Sequence, residues 1–316
     1  MRSFEPTAST RALRARADVL ATIRDFFARR HVMEVETPVL SAAGNSDPGI
    51  EQLAGGDRWL RTSPEYAMKR LLAAGSGDIY ELGRVFRAGE AGRRHNPEFT
   101  LLEWYRLGWP LSRLMDETAT LVNACGACFD RQWRVNTLEY GDWLHETTGI
   151  DPHRDDVTRL RTAVRDHGIH FDGLAQCDRD TCLDLLVSHV AEAALPTDAM
   201  TLVHGYPASQ AALARLDGGD PPVALRFELY LGQVELANGY DELTDAAEQR
   251  FRFESENRKR QADGQPIRPL DERLLAALAS GLPACSGVAL GVDRLLMACL
   301  DAEAIDQVIA FPAPIA

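Results

Sequence analysis

The sequence is poor in cysteine, in positive charge and in uninterrupted apolar runs, and each shortage removes a class of function. Its 316 residues include six cysteines, too few and too scattered for the disulfide framework of a small secreted protein. No stretch reaches the roughly 18 consecutive apolar residues of a membrane-spanning helix. The opening "MRSFEPTASTRALRARADVL" lacks the continuous apolar core of a secretory signal. The expectation is a cytoplasmic protein with no membrane partner and reduced, buried thiols. Lysine and arginine number 34 against 47 aspartates and glutamates, a net charge of −13. That balance excludes the broad basic surface of a nucleic-acid binder, but it leaves room for a local cationic pocket around a small anion.

What is present fits an ordinary globular protein, 45% hydrophobic and 26% charged, long enough for one large domain or two smaller ones. Cys125-Gly-Ala-Cys128 has the C-x-x-C spacing used for zinc or redox work, but Cys177 and Cys182 make a weak second half, so free thiols are the expected state. Residues 10–30 read as an amphipathic helix with Thr10 as cap and Leu13, Val19, Leu20, Ile23, Phe26 and Phe27 on one stripe. "SPEYAMKRLLAAG" carries a cap at Ser63, Pro64 in the first turn and Gly75 as the stop. "DIYELGRVF" and "EFTLLEWYR" read as strands of a hairpin closed by the basic loop 87–97. From about 111 to 195 the pattern is mostly helical, including "TLEYGDWLHET", as if helices were inserted into a sheet protein. Strands return at "AMTLVHG", "PVALRFELYL" and "QVELANG", with Asn238-Gly239 reading as a turn. Residues 245–263 read as a charged, solvated helix stitched by pairs such as Glu248 with Arg252. Strands and helices mix without strict alternation, so the fold class expected is α+β, a mainly antiparallel sheet flanked by helices.

Three stretches carry chemistry. "RVFRAGEAGRRHNPEF" offers Arg84, Arg87, Arg93, Arg94 and His95, with Phe99 just beyond. A guanidinium fork matches phosphate bidentately, and an aromatic ring can stack on a base. Successive strand residues face opposite ways, so Phe99, Leu101, Glu103 and Tyr105 share a side. "RFELYLGQVELANGYDEL" places Glu228 and Glu235 about a tight turn, where two carboxylates on a common face suit Mg²⁺; two solvated acids of a hairpin would read the same. "CSGVALGVDRLLM" brings Gly287, Gly291 and Arg294 to the start of a helix, where free N–H groups favour phosphate; the glycines would equally serve close packing.

Together, in this order, these stretches resemble motifs 2 and 3 of the class II aminoacyl-tRNA synthetases, and "EVETPVL" with Pro38 resembles motif 1. The likeness is closest to lysyl-tRNA synthetases, through "TSPEYAMKR", "RHNPEF", "ELANGYDEL" and "GVALGVDR", and it extends over nearly the whole chain. It implies the class II synthetase catalytic core as a single domain over residues 1–316 with a helical insertion near 111–195. The motif 1 helix starts at about residue 10, so no anticodon-binding domain is expected. With the acidic charge, this implies no tRNA partner. "GSGDIYELGRVFR", "NPEFTLLEWYR" and "CSGVALGVDRL" are most similar to truncated paralogs of lysyl-tRNA synthetase that ligate β-lysine to a lysine of translation elongation factor P. That resemblance implies ATP and Mg²⁺ as cofactors, lysine or β-lysine as amino-acid substrate, elongation factor P as protein substrate and a homodimer.

The roles it implies can be placed residue by residue. Arg87 would hold the α-phosphate and the substrate carboxylate; His95 and Arg294 would hold the outer phosphates. Phe99 and Arg294 would enclose the adenine, with Asn96 and the main chain at Leu236 and Gly291 completing the nucleotide site. Glu228 and Glu235 would ligate Mg²⁺. Ser63, Glu65, Glu103, Tyr105, Asn238 and Glu242 would line the amino-acid pocket, whose acids suit a substrate with two ammonium groups. Two positions depart from the pattern. Motif 2 usually reads F-R-x-E, whereas Phe86-Arg87-Ala88-Gly89 is followed by Glu90, so either Glu90 shifts in or the main chain near Gly89 reads the adenine edge. Ala289 stands where lysyl-tRNA synthetases have glycine, and its methyl group would favour the displaced amine of β-lysine over α-lysine. A free-standing amide ligase and a non-catalytic regulator that binds amino acid and ATP remain competing readings, separated by the acceptor and by pyrophosphate release.

Overall fold

The computed structural model describes residues 4–47 and 49–316, so the first three residues of the amino-terminal stretch read above lie outside the described ones. The chain divides into two compact units, Met1–Gln132 with Leu243–Ala316, and Trp133–Glu242.

The first unit opens with helix α1 (Thr10–Ala28). Its cap is Ser9, whose Oγ accepts from the Ala12 N–H, one residue ahead of the Thr10 expected from the sequence. Val19, Ile23, Phe26 and Phe27 are buried on one stripe as their spacing requires. Phe27 stacks on Tyr80 with centroids 4.4 Å apart. Strand β1 (Met33–Glu34) follows, then β2 (Leu40–Ser41), β3 (Ala54–Gly55) and β4 (Arg58–Leu60), the last three forming a small sheet in the order β2-β4-β3. Helix α2 (Glu65–Ala73) begins one residue later than the sequence suggests, with Pro64 rather than Ser63 at its N-cap, although Ser63 Oγ still accepts from the Glu65 N–H. It stops at Gly75, whose φ of +86° is the left-handed conformation glycine adopts freely. Strands β5 (Ile79–Phe86) and β6 (Glu98–Leu107) form the expected antiparallel hairpin, pairing Val85 with Phe99, Glu81 with Glu103 and Ile79 with Tyr105. Helix α3 (Leu111–Ala127) carries buried Cys125, while Cys128 at its end is exposed rather than buried and lies 3.3 Å from Thr22 Oγ1.

The second unit starts with a correction. Residues 134–139 form strand β7 (Arg134–Glu139), and the helix expected from Thr137 begins only at Tyr140 as α4 (Tyr140–Thr148). Pairing decides this: β7 runs parallel to β8 (Ala199–Pro207) from Arg134 opposite Ala199 to Glu139 opposite His204. A partner some 65 residues away outweighs the local helical pattern. Helices α5 (Val157–Asp166) and α6 (Arg179–Leu186) are capped by Asp156 and Asp178 and bury Leu160, Val164, Leu183 and Leu186 with Trp143 and Leu144 of α4. Strands β9 (Val223–Leu231) and β10 (Val234–Asp241) turn at Gly232, φ +59°, as expected. Asn238-Gly239 is not a turn. Both residues lie in β10, opposite Glu228 and Phe227, because the turn has already been made at Gly232 and the ladder simply continues. The sheet order in this unit is β10-β9-β8-β7.

The chain returns to the first unit through α7 (Ala246–Ala262), where Arg252 donates to Glu248 at 2.9 Å as its spacing suggests. The helix is not wholly solvated. Gln249, Phe253 and Arg260 are buried, and Arg260 donates to the carbonyls of Pro266 and Asp47. Helix α8 (Glu272–Ala279), strand β11 (Cys285–Gly291) and helix α9 (Val292–Leu300) complete the unit. β11 lies antiparallel to β6 with Ala289 opposite Glu103 and Gly287 opposite Tyr105, so the order within this unit is β1-β5-β6-β11. Arg16 of α1 pairs with Asp293 in the first turn of α9, whose other oxygen accepts from the Thr100 N–H at 2.6 Å. The pairings are mainly antiparallel, with β1–β5 and β7–β8 parallel, and the fold is α+β with helices against the strands.

Candidate active site

In the first unit the alternation of β6 does what the sequence implied: Glu103 and Tyr105 point to one side, and the Tyr105 hydroxyl donates to Glu103 Oε1 at 2.7 Å. The turn leading into α2 supplies the second contact, since Ser63 Oγ donates to Glu103 Oε2 at 2.6 Å while accepting from the Glu65 N–H. Glu103 is thus a buried carboxylate held by two hydroxyls. Burial pushes its pKa up to about 7, and neighbouring Glu65 adds to the rise against the pull of Ser63, Tyr105 and Lys69. Glu65 is itself engaged, accepting from Lys69 Nζ at 2.7 Å, and the ammonium of Lys69 is fully buried. Across the hairpin Glu81 stands opposite Glu103 and pairs with Arg61. Arg61 passes directly over Gly83, where a Cβ would come within 2.5 Å of its guanidinium. Ala289 faces Glu103 from β11.

The phosphate candidates gather at the hairpin loop and the start of α9. Arg87 lies with its guanidinium 5.2 Å from the centre of the Phe99 ring and contacts Glu90 at 3.5 Å. The loop turns at Gly89, φ +77°, and Glu90 is the acid that meets Arg87. Arg294 donates to His95 Nε2 at 2.6 Å, joining the loop to the helix. Burial, then the charge of Arg294, holds His95 below its ordinary pKa. Gly291 caps α9 immediately before these N–H groups. Asn96 is more structural than its assignment implied: its amide donates to Glu98 O at 2.6 Å and its carbonyl accepts from the Ala313 N–H. Arg93 is turned to Glu303, and Arg94 is exposed.

In the second unit the β9–β10 ladder gathers the acids. Glu228 is opposite Asn238 and Glu235 opposite Tyr230, so all four share one face. A bulge between Glu235 and Ala237 makes Leu236 the extra residue and keeps Glu235 and Asn238, three apart, on the same side. Both Glu228 oxygens are oriented, one by Arg226 and the other by the Tyr230 hydroxyl at 2.7 Å. Each carboxylate oxygen keeps a further lone pair, so this donor set fits an oxygen-loving cation such as Mg²⁺. Asn238 donates to the Tyr240 hydroxyl at 3.1 Å, while its buried Oδ1 has no hydrogen-bond partner among the described residues. Such an oxygen awaits a donor. Glu242 is buried at the end of this segment.

Sequence reasoning missed Arg61, Lys69, Glu81, Arg226 and Tyr230. Lys69 stands four residues after Glu65 on a helix, and Arg226 and Tyr230 lie two residues either side of Glu228 on a strand. Those spacings were the available signals. Arg61 with Glu81 is a long-range pair that leaves no such trace.

The family described as tRNA synthetases class II (D, K and N) matches residues 3–314. The chain is 47% identical over 323 residues to an Edwardsiella ictaluri protein named elongation factor P--(R)-beta-lysine ligase, covering 98% of each chain. Proteins of the same name from Proteus mirabilis, 47% identical, and Mannheimia succiniciproducens, 46% identical, are covered to 97%, with 98% of this chain matched in each case.

Proposed function

The chain belongs to the class II tRNA synthetases of the D, K and N group, and from that membership we propose that it is an ATP-dependent, AMP-forming ligase that activates (R)-β-lysine and transfers it to a lysine side chain of elongation factor P. The names of its relatives support the substrate pair. The observation that carries the reading is Glu103, a buried carboxylate presented on hydroxyls, close to Glu65, in a surrounding that rewards a bound ammonium group.

The reaction takes two steps. The carboxylate of the amino acid attacks the α-phosphorus of ATP, forming the acyl–phosphate bond as pyrophosphate leaves. The amine of the acceptor lysine then attacks the acyl carbon, forming an amide as AMP leaves and a proton is released. Both steps depend on positioning and charge neutralisation more than on covalent help. Arg87 would align the α-phosphate with the attacking carboxylate, its guanidinium steadied by Glu90 and the face of Phe99. Arg294 and His95 would take the outer phosphates. A neutral His95 ring leaves Arg294 as the charged partner of the pair. Glu228 and Glu235 would hold Mg²⁺, which neutralises phosphate charge when bound. Ser63, Glu65, Glu103, Tyr105, Asn238 and Glu242 would select the diammonium substrate, and the orphan Oδ1 of Asn238 supports its place there. The reading extends to a homodimer formed through motif 1, no use of tRNA and a cytoplasmic site of action. Among the described residues, no helix is long and apolar enough to cross a membrane.

The test is ATP–pyrophosphate exchange with purified protein. Exchange that depends on (R)-β-lysine supports the reading; exchange that ignores both lysine isomers overturns it.

A further inference from the structure

Three carboxylates stand close together in the first unit, yet they are not equivalent. Glu81 on β5 is paired with Arg61. Glu65 on α2 is paired with Lys69. Glu103 on β6 meets only the hydroxyls of Ser63 and Tyr105, with no cation within salt-bridge distance among the described residues. Lys69 is the unusual member. Its ammonium is fully buried, a costly placement unless the charge is paired, and it is directed to a carboxylate of the very pocket that is to bind ammonium groups.

We propose that Lys69 is a specificity-determining positioning residue: a resident ammonium that pairs with Glu65 and fixes it, and so leaves Glu103 as the carboxylate of this unit that receives an ammonium of the substrate. The proposal deepens the functional reading above and rests on it. The groups facing Glu103 fit the role. Glu65 and Lys69 approach from α2, Ser63 from the turn leading into it, Glu81 with Arg61 from β5, Tyr105 from its own strand and uncharged Ala289 from β11. The charge of Lys69 opposes the rise that burial and Glu65 impose on Glu103. Without Lys69, Glu65 would lose its ammonium partner beside buried Glu103, and the rise that burial and Glu65 impose on Glu103 would go unopposed by it. With Lys69 in place, Glu81 and Glu65 each have a resident cation and Glu103 is held by hydroxyls alone. The second ammonium of a diamino acid must then be met elsewhere, which favours a substrate with two separated amines over a compact monoamine.

Two readouts test this on the full chain. Calorimetric binding of (R)-β-lysine from pH 6 to 9, in buffers of different ionisation enthalpy, counts protons released on binding. Infrared difference spectra of the free protein, assigned by Glu103→Gln, follow the Glu103 carboxyl directly. Wild type should release a proton when binding below pH 7 and none near pH 9. Lys69→Met should move the carboxyl midpoint up by about one unit and weaken binding about tenfold at pH 7, with recovery at higher pH; Lys69→Arg should stay close to wild type. A Lys69→Met protein with the wild-type midpoint and affinity would reduce Lys69 to a packing role and overturn the proposal. So would undiminished binding with unchanged proton release in Glu103→Gln. Should wild type bind neither lysine isomer while the infrared midpoint still depends on Lys69, the functional reading fails and the electrostatic control of Glu103 stands. Should binding occur with no such dependence, the proposal alone fails.

Discussion

Arg294 donates to Nε2 of His95 across 2.6 Å, and because a guanidinium has no lone pair to offer, that ring nitrogen is the acceptor and carries no proton. Residues 199 positions apart thereby join the motif 2 loop to the first turn of α9. The neutral ring fits its lowered pKa, set first by burial and then by the Arg294 charge. His95 is accordingly expected to titrate below the ordinary histidine range, as read from its ring proton shifts by NMR. In Arg294→Met the midpoint should rise, because the nearby positive charge is gone. Pyrophosphate exchange in that variant should fall by about 100-fold or more, the scale for losing an aligned donor to developing charge. An unchanged midpoint would mean the contact does not persist in solution.

Glu228 is set by its neighbours rather than left free, with Arg226 on one oxygen and Tyr230 on the other. Groups that orient a metal ligand typically contribute 10–100-fold in affinity. Tyr230→Phe is therefore expected to raise the Mg²⁺ concentration for half-maximal exchange by about tenfold, with the KM for (R)-β-lysine unchanged. Glu228→Gln should lose far more. Equal Mg²⁺ dependence in wild type and Tyr230→Phe would remove Tyr230 from this role.

Ala289 lies directly opposite Glu103, so its methyl group borders the carboxylate that is to hold an amine. Removing it in Ala289→Gly should shift preference toward α-lysine, by about tenfold in relative kcat/KM given what one methyl group is worth in a pocket. Competition between the two isomers in pyrophosphate exchange measures this. Preference for α-lysine in the unchanged protein and for β-lysine in Ala289→Gly would reverse the argument.

Much of this was legible in the chain. The hairpin of β5 and β6, the start and stop of α2 and the acids of β9 and β10 are written in alternation, capping and turn residues. What was not legible is non-local. Residues 137–139 carry a helical pattern but pair with β8. Asn238-Gly239 carries a turn signal, yet Gly232 takes the turn and the bulge at Leu236 keeps the acids in phase. Arg16 looks like any surface arginine until Asp293 is brought to it. Arg260 sits in a run of charge yet is buried against the carbonyls of Asp47 and Pro266. Each is decided by a partner that sequence spacing does not reveal.

Two carboxyls set the pH dependence of stability. Buried Glu103 is pushed up to about 7, and half-buried Glu256, bonded to Ser46, to about 7, burial being the leading cause in each. Between their ordinary values near 4 and these raised ones, the folded protein holds protons that the unfolded chain has released. Stability should thus fall as pH rises through that window and level off above about pH 7. Denaturant unfolding at pH 5, 6, 7 and 8 without substrate checks the sign. Glu256→Gln should flatten the decline, since an amide has no charge to desolvate. Stability that climbs from pH 5 to 8 would contradict the burial of these acids.

The most direct test of the whole account is to ask which macromolecule becomes labelled. Purified protein would be incubated with ATP, Mg²⁺, labelled (R)-β-lysine, elongation factor P and bulk tRNA, and the products separated. Label on elongation factor P, abolished in Arg87→Ala, is the result the account predicts. Label on tRNA with none on the protein factor would contradict it and make the chain a minimal synthetase.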